Sequence, residues 1–314
     1  MRRFSICAIL GVLVGLSVSP ASRGEDGAAP GRKTDVIYGR KFGTALTLDV
    51  FTPKKANGAA VIIVVSGGFF SSHDSINPML AAPLVARGYT VFAVVHGSQP
   101  KFTIPEIVKD MNRAVRFIRH HAKEYGIDPA RIGVSGASAG GHLSLMLGTD
   151  GDQGDPAAKD PVDRESSRVQ AVACFFPPTD FLNYGAPGKE LIHAKDHAPA
   201  FRAAFDFYEL DPTTRVWTPI TDDVRLRKMT RDISPASHVS ADDAPTLIVH
   251  GDADRLVPLQ QSEEFVDLLK KAGVAAKLVV KPNAGHGWTT IALDVSTFAD
   301  WFDEHLKPAA KTAE

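Results

Sequence analysis

Cysteine is scarce in this chain of 314 residues: there are two, Cys7 and Cys174. Cys7 falls within an apolar leader, and removal of that leader leaves Cys174 alone, which excludes an intramolecular disulfide framework. Cys174 sits in Val-Gln-Ala-Val-Ala-Cys-Phe-Phe and reads as a small buried core residue rather than a reactive thiol. Charge of one sign is also missing. The net charge is −1, and losing Arg2, Arg3 and Arg23 with the leader takes three positive charges from it, to −4, so a nucleic-acid footprint is absent. Long apolar runs are lacking apart from Phe4 to Val18, which is short for a membrane span. With Arg2 and Arg3 before it and Ser19-Pro20-Ala21-Ser22-Arg23-Gly24 after it, that run has the pattern of a signal peptide over residues 1–24, cleaved after Ala21 or Gly24. The expectation is a secreted or periplasmic protein with no stable membrane insertion after cleavage. Internal repeats and low-complexity tracts are absent. His193 and His197 have metal-ligand spacing but no third ligand, so no metal and no cofactor are expected.

What is present is an ordinary globular balance, 44% hydrophobic and 23% charged, long enough to bury a sizeable core. After a Gly/Pro-rich connector at 25–34, Asp35 to Gly39 and Ala45 to Phe51 read as an antiparallel hairpin. Ala59 to Val65 and Thr90 to Val95 are continuous apolar runs suited to strands buried on both faces. Further strands are predicted at 132–135, 169–175, 246–250 and 276–281. Helices are predicted at 78–87, from Pro105 to Tyr125 with Ile107, Met111, Val115 and Ile118 inward, at 260–272 and at 294–306. Strands alternating with helices predict a mostly parallel central sheet with helices on both faces, one α/β domain over 35–314. Residues 185–231, rich in proline and aromatics, predict a helical insertion or lid.

The chemistry centres on Gly136-Ala137-Ser138-Ala139-Gly140. It follows a short strand and opens an apolar helix, the context of a G-x-S-x-G nucleophile elbow, which makes Ser138 the candidate nucleophile. A serine hydroxyl needs a base and a carboxylate to orient that base. His286, flanked by glycines in Ala284-Gly285-His286-Gly287-Trp288, follows the last predicted strand. In Gly251-Asp252-Ala253-Asp254, after the strand ending at His250, both aspartates are candidates; Asp252 suits backbone capping and Asp254, further out, is the favoured acid. Asp180, which also follows a strand, is a third choice for the acid and reads rather as a turn or cap residue, and His250 and His142 read as structural. For the oxyanion, the Ala139 N–H is one expected donor and the Gly68 N–H the second, with Phe69 N–H as alternative. Phe69 and Phe70 are expected to line the substrate site.

Taken together, these residues resemble the α/β-hydrolase superfamily, in particular the esterase/lipase group with hormone-sensitive-lipase-like enzymes and secreted acetyl-xylan and feruloyl esterases. The similarity runs from Asp35 to Leu306. It is carried by Gly-Ala-Ser-Ala-Gly-Gly-His at 136–142, Tyr-Gly-Ile-Asp-Pro-Ala-Arg-Ile at 125–132, Ser-Pro at 234–235, His-Gly-Asp-Ala-Asp-Arg-Leu-Val-Pro at 250–258 and Gly-His-Gly at 285–287. The resemblance implies the α/β-hydrolase fold, with Ser138 as nucleophile, Asp254 as acid and His286 as base. It implies hydrolysis of small carboxylic esters, acylated carbohydrate among them, through an acyl-enzyme. One stretch departs: the family's His-Gly-Gly-Gly oxyanion motif is Ser66-Gly67-Gly68-Phe69 here, and Phe69 has less conformational freedom than glycine. Two alternatives share these loops: a prolyl-oligopeptidase-like peptidase, for whose propeller the N-terminal region has no room, and a binding-only member, suggested by the missing third glycine.

Overall fold

A computed structural model describes residues 31–193 and 199–308. The expected leader, His197 and the side chain of His193 lie outside the described residues. Among the described residues there are ten strands: β1 (Gly31–Lys41), β2 (Thr44–Thr52), β3 (Ala60–Val65), β4 (Thr90–Val95), β5 (Ile132–Ala137), β6 (Ala171–Phe175), β7 (Tyr208–Leu210), β8 (Trp217–Pro219), β9 (Thr246–Gly251) and β10 (Ala276–Lys281). Between them run α1 (Pro78–Ala86), α2 (Ile104–His120), α3 (Ala122–Tyr125), α4 (Ala139–Thr149), α5 (Asp223–Asp232), α6 (Gln260–Lys271) and α7 (Ile291–His305).

Eight strands make one sheet in the order β1-β2-β4-β3-β5-β6-β9-β10. The β1–β2 and β2–β4 pairs are antiparallel and the rest parallel. Side chains alternate across the central strands with period two. Ile62 and Val64 of β3 and Phe92 and Val94 of β4 join the layer under α2, α4 and α6. Val61, Val65, Val91 and Ala93 join the layer under α1 and α7, where Phe298 and Phe302 are fully buried. Burial of each such ring contributes about 1.5–3 kcal/mol. This is the mostly parallel sheet, covered on both faces, of the α/β-hydrolase fold. From β3 the chain passes to β4 on one side and later to β5 on the other, so the strand order reverses between β3 and β5. Open α/β sheets form their crevices at such a reversal, at the carboxyl ends of the strands.

Three expectations are revised. β1 already begins at Gly31, inside the stretch read as a connector. The helix predicted to reach Tyr125 breaks at His121, whose Nδ1–H donates to the Phe117 carbonyl at 2.8 Å, and resumes as the one-turn α3. The 185–231 insertion is only partly helical: 3₁₀ turns at Leu191–His193 and Pro199–Phe205 precede the β7–β8 ribbon, which pairs with no other strand among the described residues, and α5 overlaps the insertion's end. Phe205 and Phe207 of this segment are buried in the core. Among the described residues no helix is long and apolar enough to cross a membrane.

Candidate active site

Ser138 stands at the junction of β5 and α4 with φ 54° and ψ −119°. A non-glycine residue in such a conformation costs about 1–3 kcal/mol and persists only where its surroundings over-determine it. Here they do. Ser138 N–H donates to the Phe175 carbonyl at 3.0 Å, and its own carbonyl accepts from His142 N–H at 2.9 Å. A Cβ at Gly136 would collide with the Gly140 backbone, and one at Gly140 would lie 2.7 Å from the Val64 carbonyl oxygen. The two glycines therefore permit the close passage of strand, turn and helix that turns the serine outward.

The loops after β9 and β10 bring the other two residues to it. His286 Nε2 lies 2.9 Å from Ser138 Oγ, and His286 Nδ1 lies 2.7 Å from Asp254 Oδ2. An ionised carboxylate only accepts, so Nδ1 carries the proton and Nε2 is left to accept from the serine hydroxyl. A short turn, Gly287 N–H to Gly285 carbonyl at 2.8 Å, presents the imidazole. Phe176, just past β6, backs it with ring centroids 4.4 Å apart.

Asp254 is held from several sides. Its side chain is 0% exposed; Oδ1 accepts from Leu256 N–H and Val257 N–H at 2.8 and 3.0 Å. Burial works against its charge, but hydrogen bonds from His250, His286 and Val257 outweigh burial and hold the carboxyl well below the ordinary aspartate range. His250 thus does more than end a buried strand. Its Nε2 faces two acceptors, the Val257 carbonyl at 3.0 Å and Asp254 Oδ2 at 3.3 Å, so it carries the proton, while Nδ1 accepts from Ser262 Oγ at 2.7 Å. The other carboxylates are used locally. Asp252 accepts from Asn283 N–H at 2.6 Å, and Asp180 from Leu182 and Asn183 N–H at 2.8 and 3.2 Å. His142 is buried, donates through Nε2 to the Ile233 carbonyl at 2.7 Å, and is pushed down by burial to about 4.

The loop after β3 faces the elbow. Gly67 and Phe70 exchange backbone hydrogen bonds at 3.0 and 2.9 Å, closing a two-residue turn whose central residues, Gly68 and Phe69, both have positive φ, 55° and 64°. The N–H groups of Gly68, Phe69 and Ala139 have no protein acceptor among the described residues. A Cβ at Gly68 would run into the ring of Phe201, so the insertion lies directly over the turn. The Phe69 side chain, expected at the substrate site, turns into the core. It is buried and packs edge-on against His142 and Phe205, with centroids 5.4 and 6.2 Å away. Phe70 is 47% exposed and joins Gly67, Ala137 and Phe175 around an apolar cavity of about 320 Å³. Sequence reasoning missed Phe176, Phe201 and the role of His250. Only the last left a signal, its spacing of four from Asp254.

The chain is similar in sequence to carboxylic ester hydrolases. A probable carboxylic ester hydrolase, LipM, from Mycobacterium tuberculosis is 29% identical over 76% of this chain and 51% of its own length. Esterase LipQ from the same organism is 28% identical over 82% of this chain and 58% of its own. The chain therefore spans little more than half the length of these curated relatives. Among solved structures, a truncated carbohydrate esterase from gut microbiota is 27% identical with a TM-score of 0.69, covering 90% of this chain and 99% of that one. An acetyl ester-xyloside bifunctional hydrolase from Caldicellulosiruptor lactoaceticus is 25% identical with a TM-score of 0.70, covering 89% and 98%. The family model described as BD-FAE matches residues 48–269, and with that match the chain belongs to the BD-FAE family of α/β-hydrolases.

Proposed function

We propose that this protein is an exported serine hydrolase of carboxylic esters, acting through an acyl-enzyme on small esters that include acylated carbohydrate. The observation that carries the reading is the continuous line Asp254–His286–Ser138, with links of 2.7 and 2.9 Å. Ser138 Oγ attacks the ester carbonyl as its proton passes to His286 Nε2. Asp254, ionised and buried, keeps the Nδ1–H in place and stabilises the imidazolium that forms. The developing oxyanion is met by Ala139 N–H, at the start of α4, and by the unpaired donors of the Gly68-Phe69 turn. His286 then delivers its proton to the leaving alcohol, and a water activated by the same imidazole releases the acid. Acylated carbohydrate is suggested by the carbohydrate esterase and the acetyl ester-xyloside hydrolase that the fold resembles; export is suggested by Arg2, Arg3 and the apolar run behind them.

Turnover of p-nitrophenyl acetate and labelling by a fluorophosphonate probe test the reading together. Both are expected in wild type and absent in Ser138→Ala. Equal turnover in the two proteins, or folded wild type that resists the probe, would overturn the mechanism. Cleavage of a peptidyl-proline amide in place of the ester would favour a peptidase.

A further inference from the structure

Gln99 lies on the loop after β4, only 4% exposed, with its side chain pointed at the turn that faces Ser138. Its Nε2 donates to the Gly68 carbonyl at 2.5 Å, and its backbone N–H donates to the Phe69 carbonyl at 3.2 Å. Both central carbonyls of the turn are therefore tied to one residue. We propose that Gln99 is a positioning residue of the oxyanion site, holding the Gly68–Phe69 peptide plane in the one orientation that presents Phe69 N–H rather than the Gly68 carbonyl to the substrate. The inference rests on the esterase reading above.

The reasoning begins with the turn's own preference. A two-residue turn has two forms of the right twist, and they differ by a half-rotation of the central peptide. In one form both central residues have positive φ, which suits Asn-Gly or Gly-Gly. In the other only the first does, which suits glycine followed by an ordinary residue. Gly68-Phe69 has the composition of the second form and the geometry of the first, with Phe69 at φ 64°. An L-residue there costs about 1–2 kcal/mol, so an external contact must hold it. Because a trans peptide directs its C=O and N–H to opposite sides, fixing the Gly68 carbonyl on Gln99 sends Phe69 N–H the other way. With that hydrogen bond gone, the half-rotation relieves Phe69 and exchanges a donor for a carbonyl oxygen at the place where negative charge develops.

The loop bearing Gln99 is itself anchored. Ser71 Oγ donates to the Val65 carbonyl at 2.6 Å and accepts His96 N–H at 3.1 Å, and Ser71 N–H donates to Ser98 Oγ at 3.2 Å. Gly97 N–H donates to Asp110, which pairs with Lys41 at 2.6 Å. The glutamine thus works from a fixed base.

Gln99→Met keeps the length and removes the donor. Its kcat for p-nitrophenyl acetate is expected to fall about 10- to 100-fold, less than or near the loss of a whole oxyanion donor, with KM changed less than about threefold. Affinity for a trifluoromethyl ketone, which forms the tetrahedral adduct, is expected to fall by the same factor as kcat. Gln99→Glu gives a readout that a merely structural role would not move: only the protonated carboxyl can donate to Gly68, so the ratio of variant to wild-type kcat is expected to rise as pH falls from about 8 to about 5. That ratio also decides the matter should Gln99→Met fail to fold. Wild-type turnover with kcat unchanged in Gln99→Met, or a flat ratio in Gln99→Glu, overturns this inference alone. Wild type without turnover overturns the esterase reading, and this with it.

Discussion

Replacing Asp254 by asparagine changes one atom's chemistry at almost constant volume, and its surroundings allow the amide no good orientation. With the amide oxygen at the Oδ1 position, the Leu256 and Val257 N–H donors stay paired, and the NH₂ group faces His286 Nδ1 and His250 Nε2. His286 must then turn its protonated nitrogen toward Ser138, where it can no longer accept the hydroxyl proton. His250 faces a donor with its own donor, and shifting its proton to Nδ1 would strip the Val257 carbonyl of its partner. In the opposite orientation the NH₂ group confronts two backbone N–H groups. Either choice leaves at least one buried polar group mispaired, at about 1–3 kcal/mol of stability. The wrong imidazole tautomer is the larger effect, about 10⁴ in kcat by analogy with serine proteases, or about 5 kcal/mol of transition-state stabilisation. Urea denaturation measures the loss of stability, and stopped-flow or steady-state hydrolysis of p-nitrophenyl acetate measures the loss of kcat. Asp252→Asn, which keeps an oxygen for Asn283 N–H, serves as the control and is expected to stay within about threefold of wild type. A folded Asp254→Asn protein with kcat within tenfold of wild type would refute the relay.

Stability should decline steeply on mild acidification. Burial pushes His96 and His142 to about 4 from the usual 6.5, so between those values the unfolded chain takes up protons that the folded chain refuses, and stability is lost as pH falls. That difference corresponds to about 3 kcal/mol for each. Asp254, held low, adds a loss at still lower pH, beginning near the ordinary carboxylate range. Denaturation midpoints across pH check this, and His142→Gln, whose amide can still donate to the Ile233 carbonyl, is expected to flatten the slope. Lys41→Met strands the nearly buried Asp110 carboxylate, at an expected cost of about 3–5 kcal/mol at neutral pH. Because burial already raises that carboxyl, the deficit should shrink as pH is lowered and Asp110 protonates; an equal deficit at every pH would contradict the pairing.

The parts of the site set by local chemistry were legible in the sequence. The elbow needs two glycines around a serine between a strand and a helix, and Asp254 and His286 follow apolar runs at whose carboxyl ends open α/β sheets place their sites. The parts set by distant partners were not. Nothing near Phe69 in sequence says that its ring turns into the core, because the partners that receive it, His142 and Phe205, are far along the chain. Gln99 belongs to another βα connection, and only the folded sheet brings it to Gly68. The insertion read as helical because its aromatics demand burial. The ribbon inside it is set by turn chemistry: Asp211 Oδ1 accepts from Thr213 and Thr214 N–H, and Arg215 takes φ 59°.

Among the described residues the β7–β8 ribbon pairs only with itself, and Tyr208 and Trp217 on it are 53% and 60% exposed. It borders a groove of about 660 Å³ shared with Phe42 and Phe102, while the Phe201–Phe205 segment before it is fastened over the turn. Its amides belong to the low-energy end of opening and should exchange with solvent long before those of the central sheet. For a lineage under selection, such a segment is inexpensive to rewrite. Hairpins of other lengths and compositions fit there, reshaping that groove, while the elbow and its partners stay held by the central sheet.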